Sequence, residues 1–237
     1  MSSGRVLVTR ATEDAAELLA ALARRGFVGV SLPLLEYAIG PDEPIMPREG
    51  WLLLTSPRAA QRLPQVRSHP STRIAVVGER TGSVVRERGY EVARVAADSA
   101  RSLADLLKEE SGPFTWWCGD RALPDLALAL RKRGQVLKTM CVYRTMLRSV
   151  LRSDWETATR DLTAMIFSSP SAVTALVEQA DPAWLQDAQV GLLVVAAGGS
   201  TEAELLRRGF RGVARASSPR ADDLAQAVVD GLGRPLC

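Results

Sequence analysis

Histidine is almost missing from this chain of 237 residues, with His69 alone, and lysine is confined to Lys108, Lys132 and Lys138. One histidine with no cysteine close to it in sequence argues against a Cys-His or Ser-His-Asp nucleophile set. The three cysteines, Cys118, Cys141 and Cys237, have no metal-ligand spacing, so no structural zinc is expected. Neither a Walker A loop nor a G-x-G-x-x-G turn occurs, which removes kinase and dinucleotide-dehydrogenase chemistry. No apolar run nears the roughly 18 residues that span a bilayer. Met1–Arg10 lacks the apolar stretch of a secretory signal, so the cytoplasm is the expected location and no membrane partner is expected. The net charge is only +3 and almost all arginine. Those arginines are scattered along helix faces without aromatics between them, so nucleic acid is not an expected partner.

What is present is ordinary globular composition, 46% hydrophobic and 24% charged, in a chain long enough for two domains. Internal similarity organises it. Trp51 to Ala60 (WLLLTSPRAA) returns as Ala164 to Val173 (AMIFSSPSAV), each an apolar run, a Ser-Pro turn and a helical pattern. Ile74 to Gly78, with Thr81 and Arg88-Gly89-Tyr90, returns as Leu192 to Gly198, with Thr201 and Arg208-Gly209-Phe210. The third pair joins the chain start to its middle. Val6 to Arg10, with Ala15, Leu18, Leu19 and Leu22, ends at Arg25-Gly26; Phe114 to Cys118, with Leu123, Leu126, Ala127 and Leu130, ends at Arg133-Gly134. Apolar residues at helical spacing before a basic residue and a glycine predict amphipathic helices with left-handed C-terminal caps.

Strands alternating with such helices predict an α/β fold of doubly wound parallel sheets. Because one βα unit precedes the middle block while its partners follow it, one domain is expected to be discontinuous. Residues 1–35 with 147–237 form it, 40–140 form the inserted domain, and 36–39 with 141–146 form a connecting two-stranded β ladder.

Ligands of open α/β sheets bind beyond the carboxyl ends of the strands. The loops there are Thr55–Arg58 and Gly78–Thr81 in the inserted domain, and Thr9–Thr12, Ser168–Ser171 and Gly198–Thr201 in the split one. Each offers hydroxyls and backbone N–H groups at a helix start, a ready anion site. Each also reads as plain capping: Ser before Pro suits N-cap and N1, and Thr201 with Glu204 predicts a capping box. One helix start gives an anion only about 0.3–1 kcal/mol, against about 8 kcal/mol for micromolar affinity, so several must converge. Two domains with facing loop edges, holding a small polyanion, would provide that. Tyr143 is the titratable residue of interest, on a crossing between domains, although a tyrosine there also suits plain strand packing.

With the split domain, Thr55-Ser56-Pro57, Gly78-x-x-Thr81, Leu32-Pro33-Leu34 and Tyr143-Arg144-Thr145 assembled, nearly the whole chain resembles the uroporphyrinogen-III synthase family. The resemblance implies two flavodoxin-like domains joined by a β ladder. It implies a cyclising hydro-lyase that closes hydroxymethylbilane, a linear tetrapyrrole with acetate and propionate arms, losing its hydroxyl and inverting ring D through a spiro intermediate. That step serves haem, sirohaem, cobalamin or chlorophyll biosynthesis, with no cofactor and no metal. By motif, Tyr143 would assist departure of the hydroxyl, while Arg10, Thr55, Ser56, Arg58, Thr81, Ser169, Ser200 and Thr201 would bind substrate. The expected partners are hydroxymethylbilane and, transiently, hydroxymethylbilane synthase, and the expected state is a monomer. Three positions depart from the family pattern. Ala197-Gly-Gly-Ser-Thr stands for Gly-Pro-Thr-Thr, Leu193 where some members have lysine, and Cys118 where arginine often precedes the glycine. A non-catalytic polyanion binder and a sugar-phosphate or nucleotide binder are the alternative readings.

Overall fold

The computed structural model describes residues 4–65, 71–97 and 99–233, so His69 and Cys237 lie outside the described residues. In chain order the elements are β1 (Arg5–Val8), α1 (Thr12–Arg24), β2 (Val28–Ser31), β3 (Leu35–Ile39), β4 (Trp51–Leu54), α2 (Pro57–Gln61), β5 (Arg73–Val77), α3 (Glu79–Glu87), β6 (Arg94–Ala96), α4 (Ala100–Leu106) and β7 (Phe114–Gly119). There follow α5 (Asp125–Lys132), β8 (Leu137–Leu147), α6 (Arg152–Thr159), β9 (Leu162–Phe167), α7 (Pro170–Gln179), α8 (Pro182–Gly191), β10 (Leu193–Ala196), α9 (Gly199–Arg207), β11 (Val213–Arg215) and α10 (Ala221–Leu232). The chain divides into two compact units, Met1–Glu36 with Met146–Cys237, and Tyr37–Thr145. The architecture is mixed α/β with parallel sheets.

The first unit carries a five-stranded sheet in the order β11-β10-β9-β1-β2, parallel at every pairing. The pleat sends alternate side chains to opposite faces. Val6 and Val8 therefore pack with α1 and α10, while Leu7 packs with residues of α6, α7, α8 and α9. Ile166 and Phe167 divide in the same way, and all five side chains are fully buried.

The second unit holds a six-stranded sheet, β3-β8-β7-β4-β5-β6. Trp51 and Leu53 face α4 and α5, and Leu52 and Leu54 face α2 and α3. The repeats read from sequence occupy equivalent places. Val6 stands beside Ala164 as Phe114 stands beside Trp51, and Leu193 beside Ala164 as Arg73 stands beside Trp51. Both units thus share one spatial order, β11-β10-β9-β1-β2 against β6-β5-β4-β7-β8. The chain visits it differently, because the βαβ piece that opens the first unit closes the second.

Two details differ from the sequence reading. The crossing strands β3 and β8 are hydrogen-bonded neighbours, and β8 is also in parallel register with β7 from Leu137 to Tyr143, so the pair extends the six-stranded sheet rather than standing apart from it. Leu123 does not join the apolar face of α5; it precedes the helix and is 67% exposed, while Leu126 and Leu130 are buried. Gly26 and Gly134 adopt φ of 81° and 71° after α1 and α5, the left-handed caps that their positions call for.

Candidate active site

In the second unit, the site begins at an irregularity. Cys118 pairs with Cys141, but Gly119 pairs with Tyr143, so Val142 is an extra residue in β8. A bulge breaks the alternation of the pleat and re-aims the next side chain. Met140 and Val142 face α2 and α3, and Tyr143 packs on that same side instead of alternating away from it. Its ring lies over Gly119, where a Cβ would come within 2.5 Å of the Tyr143 Cζ and 2.8 Å of its Oη. Only glycine leaves that space.

The surrounding backbone is tied on both sides. The Asp120 amide donates to the Tyr143 carbonyl (3.2 Å), and the Asp120 carboxylate accepts from the Thr145 amide (2.9 Å). On the other edge the Gly40 amide donates to the Val142 carbonyl (3.1 Å), and the Asp42 carboxylate accepts from the Cys141 amide (2.6 Å).

Three side chains form a chain of contacts around Tyr143. Ser56 N-caps α2, with Pro57 in its first turn, its Oγ accepting from the Ala59 amide (3.2 Å) and donating to Tyr143 Oη (3.2 Å). Tyr37, on β3, meets the Tyr143 ring edge-on with centroids 6.0 Å apart. The Arg58 guanidinium lies 3.9 Å from the centre of the Tyr37 ring. Burial pushes the Tyr143 pKa above its usual value, against the opposing pull of the Ser56 hydrogen bond. A phenol that accepts from Ser56 keeps its own O–H to donate as a hydrogen bond to a ligand. Nearby, burial first, then Cys141 and Asp42, raise the Cys118 thiol to about 11, so it is no thiolate nucleophile.

Thr55 accepts from the Trp116 indole (3.1 Å), and Thr81, in the first turn of α3, is only 2% exposed. In the first unit, Arg10 donates to the Ser168 hydroxyl and, at 2.9 Å, to the Pro219 carbonyl. Ser169 N-caps α7 through the Ala172 amide (3.3 Å). Ser200 is exposed and Thr201 buried in the first turn of α9. The predicted capping box is absent: Gly198 is the N-cap, and Glu204 instead accepts from Arg207 and Arg208. The N-cap thus lies three residues upstream of Thr201. A cavity of about 660 Å³ along β11 and α10 contains none of the sequence-predicted residues. Among the described residues no group of three or more His, Cys, Asp and Glu could hold a metal ion, and no helix is long and apolar enough to cross a membrane.

Thus Ser56, Arg58 and Tyr143 come together as one cluster, and Arg10 meets the Ser168–Ser171 loop. Sequence reasoning missed Tyr37, Gly119, Asp42 and Asp120. A glycine at the end of a strand was a usable signal for Gly119; the others depend on pairing.

The family model for uroporphyrinogen-III synthase HemD matches residues 13–226. The chain belongs to the uroporphyrinogen-III synthase family. Its function is the family's, synthesis of uroporphyrinogen III in porphyrin and haem biosynthesis. The fold agrees with solved uroporphyrinogen-III synthases. That of Helicobacter pylori superposes with a TM-score of 0.70 at 16% identity, covering 96% of this chain and 99% of that one. A mutant enzyme of the extreme thermophile Thermus thermophilus gives 0.60 at 17%, covering 98% and 99%. Its wild type in a second crystal form gives 0.52 at 19%, covering 99% and 100%. Comparison with curated protein sequences gave no match.

Proposed function

We propose that the chain is a cyclising hydro-lyase that converts hydroxymethylbilane to uroporphyrinogen III, with Tyr143 as its acid. The observation that carries this reading is the Tyr143 phenol: re-aimed by a bulge, seated on Gly119 and accepting from Ser56, so that its own O–H is left to donate. In the proposed step the hydroxymethyl C–O bond breaks as Tyr143 Oη donates its proton to the departing oxygen, which leaves as water. The electrophilic carbon so formed is attacked by the substituted carbon of ring D, and the spiro intermediate reopens and closes with that ring inverted. The proton lost on aromatisation can return to the Tyr143 oxygen, so no external reactant is consumed.

The remaining work is positioning, a proximity effect. Arg58 and Ser56 are assigned to carboxylate arms in the second unit, with Thr55 beside them. In the first unit the assignment is Arg10, Ser169 and Ser200. Thr81 and Thr201 are buried, so their part is to fix the first turns of α3 and α9, whose leading amides then meet carboxylates. Each unit is read as flavodoxin-like. The first follows the order 2-1-3-4-5 along the chain, and the second has the same layout with its βαβ piece moved to the end.

A thermal-shift titration tests the ligand class. Uroporphyrinogen III at a hundred times its Kd stabilises the protein by about 2.7 kcal/mol, and nucleotides leave it unmoved. A shift with nucleotides alone would sink the reading.

A further inference from the structure

We infer that Tyr37 is a positioning residue for substrate binding, aligning the Arg58 guanidinium beside the Tyr143 phenol through the faces of one ring. The inference rests on the reading of the Tyr143 site given above and adds a residue that no motif assigns. Tyr37 lies on β3, hydrogen-bonded to the strand that carries Tyr143. Its side chain touches both groups: the guanidinium carbon of Arg58 lies 3.9 Å from its ring centroid, and the ring of Tyr143 meets it at 6.0 Å and 73°.

Both contacts have the favoured geometry. A cation is attracted to the negative face of an aromatic ring, and two rings prefer an edge-to-face approach. Arginine on the five-residue helix α2 has many rotamers, so an arginine meant to receive a carboxylate gains from being held in one. Tyr37 is 36% exposed, so the contact stays accessible to ligand. Tyr37 itself is not placed at the reacting atoms; it acts through Arg58 and, more weakly, through Tyr143.

The energies typical of cation–π contacts correspond to about 2- to 30-fold in an equilibrium constant. Tyr37→Leu, which keeps bulk and loses the aromatic face, is therefore expected to raise KM for hydroxymethylbilane roughly tenfold while kcat falls by less than about threefold. Tyr37→Phe keeps the face and recovers most of that loss. In an Arg58→Ala background, Tyr37→Leu adds less than about twofold, the signature of coupled residues. Equal effects of Leu and Phe, or losses that multiply in the double variant, overturn the inference. Tyr37→Gln, suited to an exposed strand, replaces the Leu variant if that one does not fold.

A second readout separates this from the catalytic reading. Binding of uroporphyrinogen III, followed by quenching of tryptophan fluorescence without turnover, is expected to show the same non-additive pattern. If the wild type yields only the spontaneous isomer while the binding coupling persists, the catalytic reading fails and the role of Tyr37 stands. If the wild type makes uroporphyrinogen III and the coupling is absent, the reverse holds.

Discussion

At the scale of residues, one hydroxyl is proposed to have a role that no other shares. Tyr143→Phe keeps the ring over Gly119 and removes only the donor. General acids commonly contribute about 10²- to 10⁴-fold, so kcat is expected to fall at least a hundredfold with KM within about threefold, by steady-state kinetics on fresh bilane. A loop hydroxyl such as Ser169 should instead alter KM. Gly119→Ala is the sharper test of geometry, because its Cβ would fall 2.5 Å from the Tyr143 ring. The ring must move, so kcat should drop more than tenfold in a protein that still folds cooperatively; unchanged turnover would mean that the ring position is irrelevant. Tyr143, Ser56 and Arg58 were legible because each lies in a strand-following loop or a crossing that motif and repeat pick out. The places of Tyr37, Asp42 and Asp120 were not, since they come from a bulge and from cross-strand register, which exist only once strands pair.

At the scale of elements, caps and periodicity were legible where one residue decides them, as with Ser56 and Ser169 before proline. They failed at α9, where a cap at Thr201 was expected and the helix instead begins after Gly198. That choice leaves Glu204 inside the helix, 14% exposed, bonded to Arg207 at 2.6 and 2.8 Å and to Arg208 at 2.9 Å. The Arg207 hydrogen bonds foremost, opposed by burial and helped by Arg208, lower its pKa from 4.5 to about 2. A lowered carboxyl pKa contributes stability above the unfolded value of 4.5 that is lost as pH falls through about 2. Discounting for the 65% exposure of Arg207, Glu204→Gln should cost about 1–2 kcal/mol at pH 7. By urea denaturation that gap should shrink between pH 5 and pH 2; a constant gap would show that packing, not charge, is at stake.

At the scale of the whole molecule, the repeat was the informative signal. Three pairs of segments, matched by apolar runs and turn residues alone, land on equivalent strands with equivalent neighbours. The parallel α/β class followed from that pattern, because strands buried on both faces need helices between them. The merging of the crossing strands into one sheet did not follow, since β propensity is indifferent to which neighbour a strand chooses. Identities of 16–19% to solved synthases go with the same fold, so the fold is kept while most side chains differ.

The most direct measurement gives the purified chain freshly prepared hydroxymethylbilane and resolves the product isomers against an enzyme-free control. Uroporphyrinogen III is expected to dominate with the wild type, and the ring-D-retained isomer of spontaneous closure to take over with Tyr143→Phe. Wild-type protein yielding only the spontaneous isomer, at the control rate, would contradict a catalytic role for Tyr143 and the synthase reading with it.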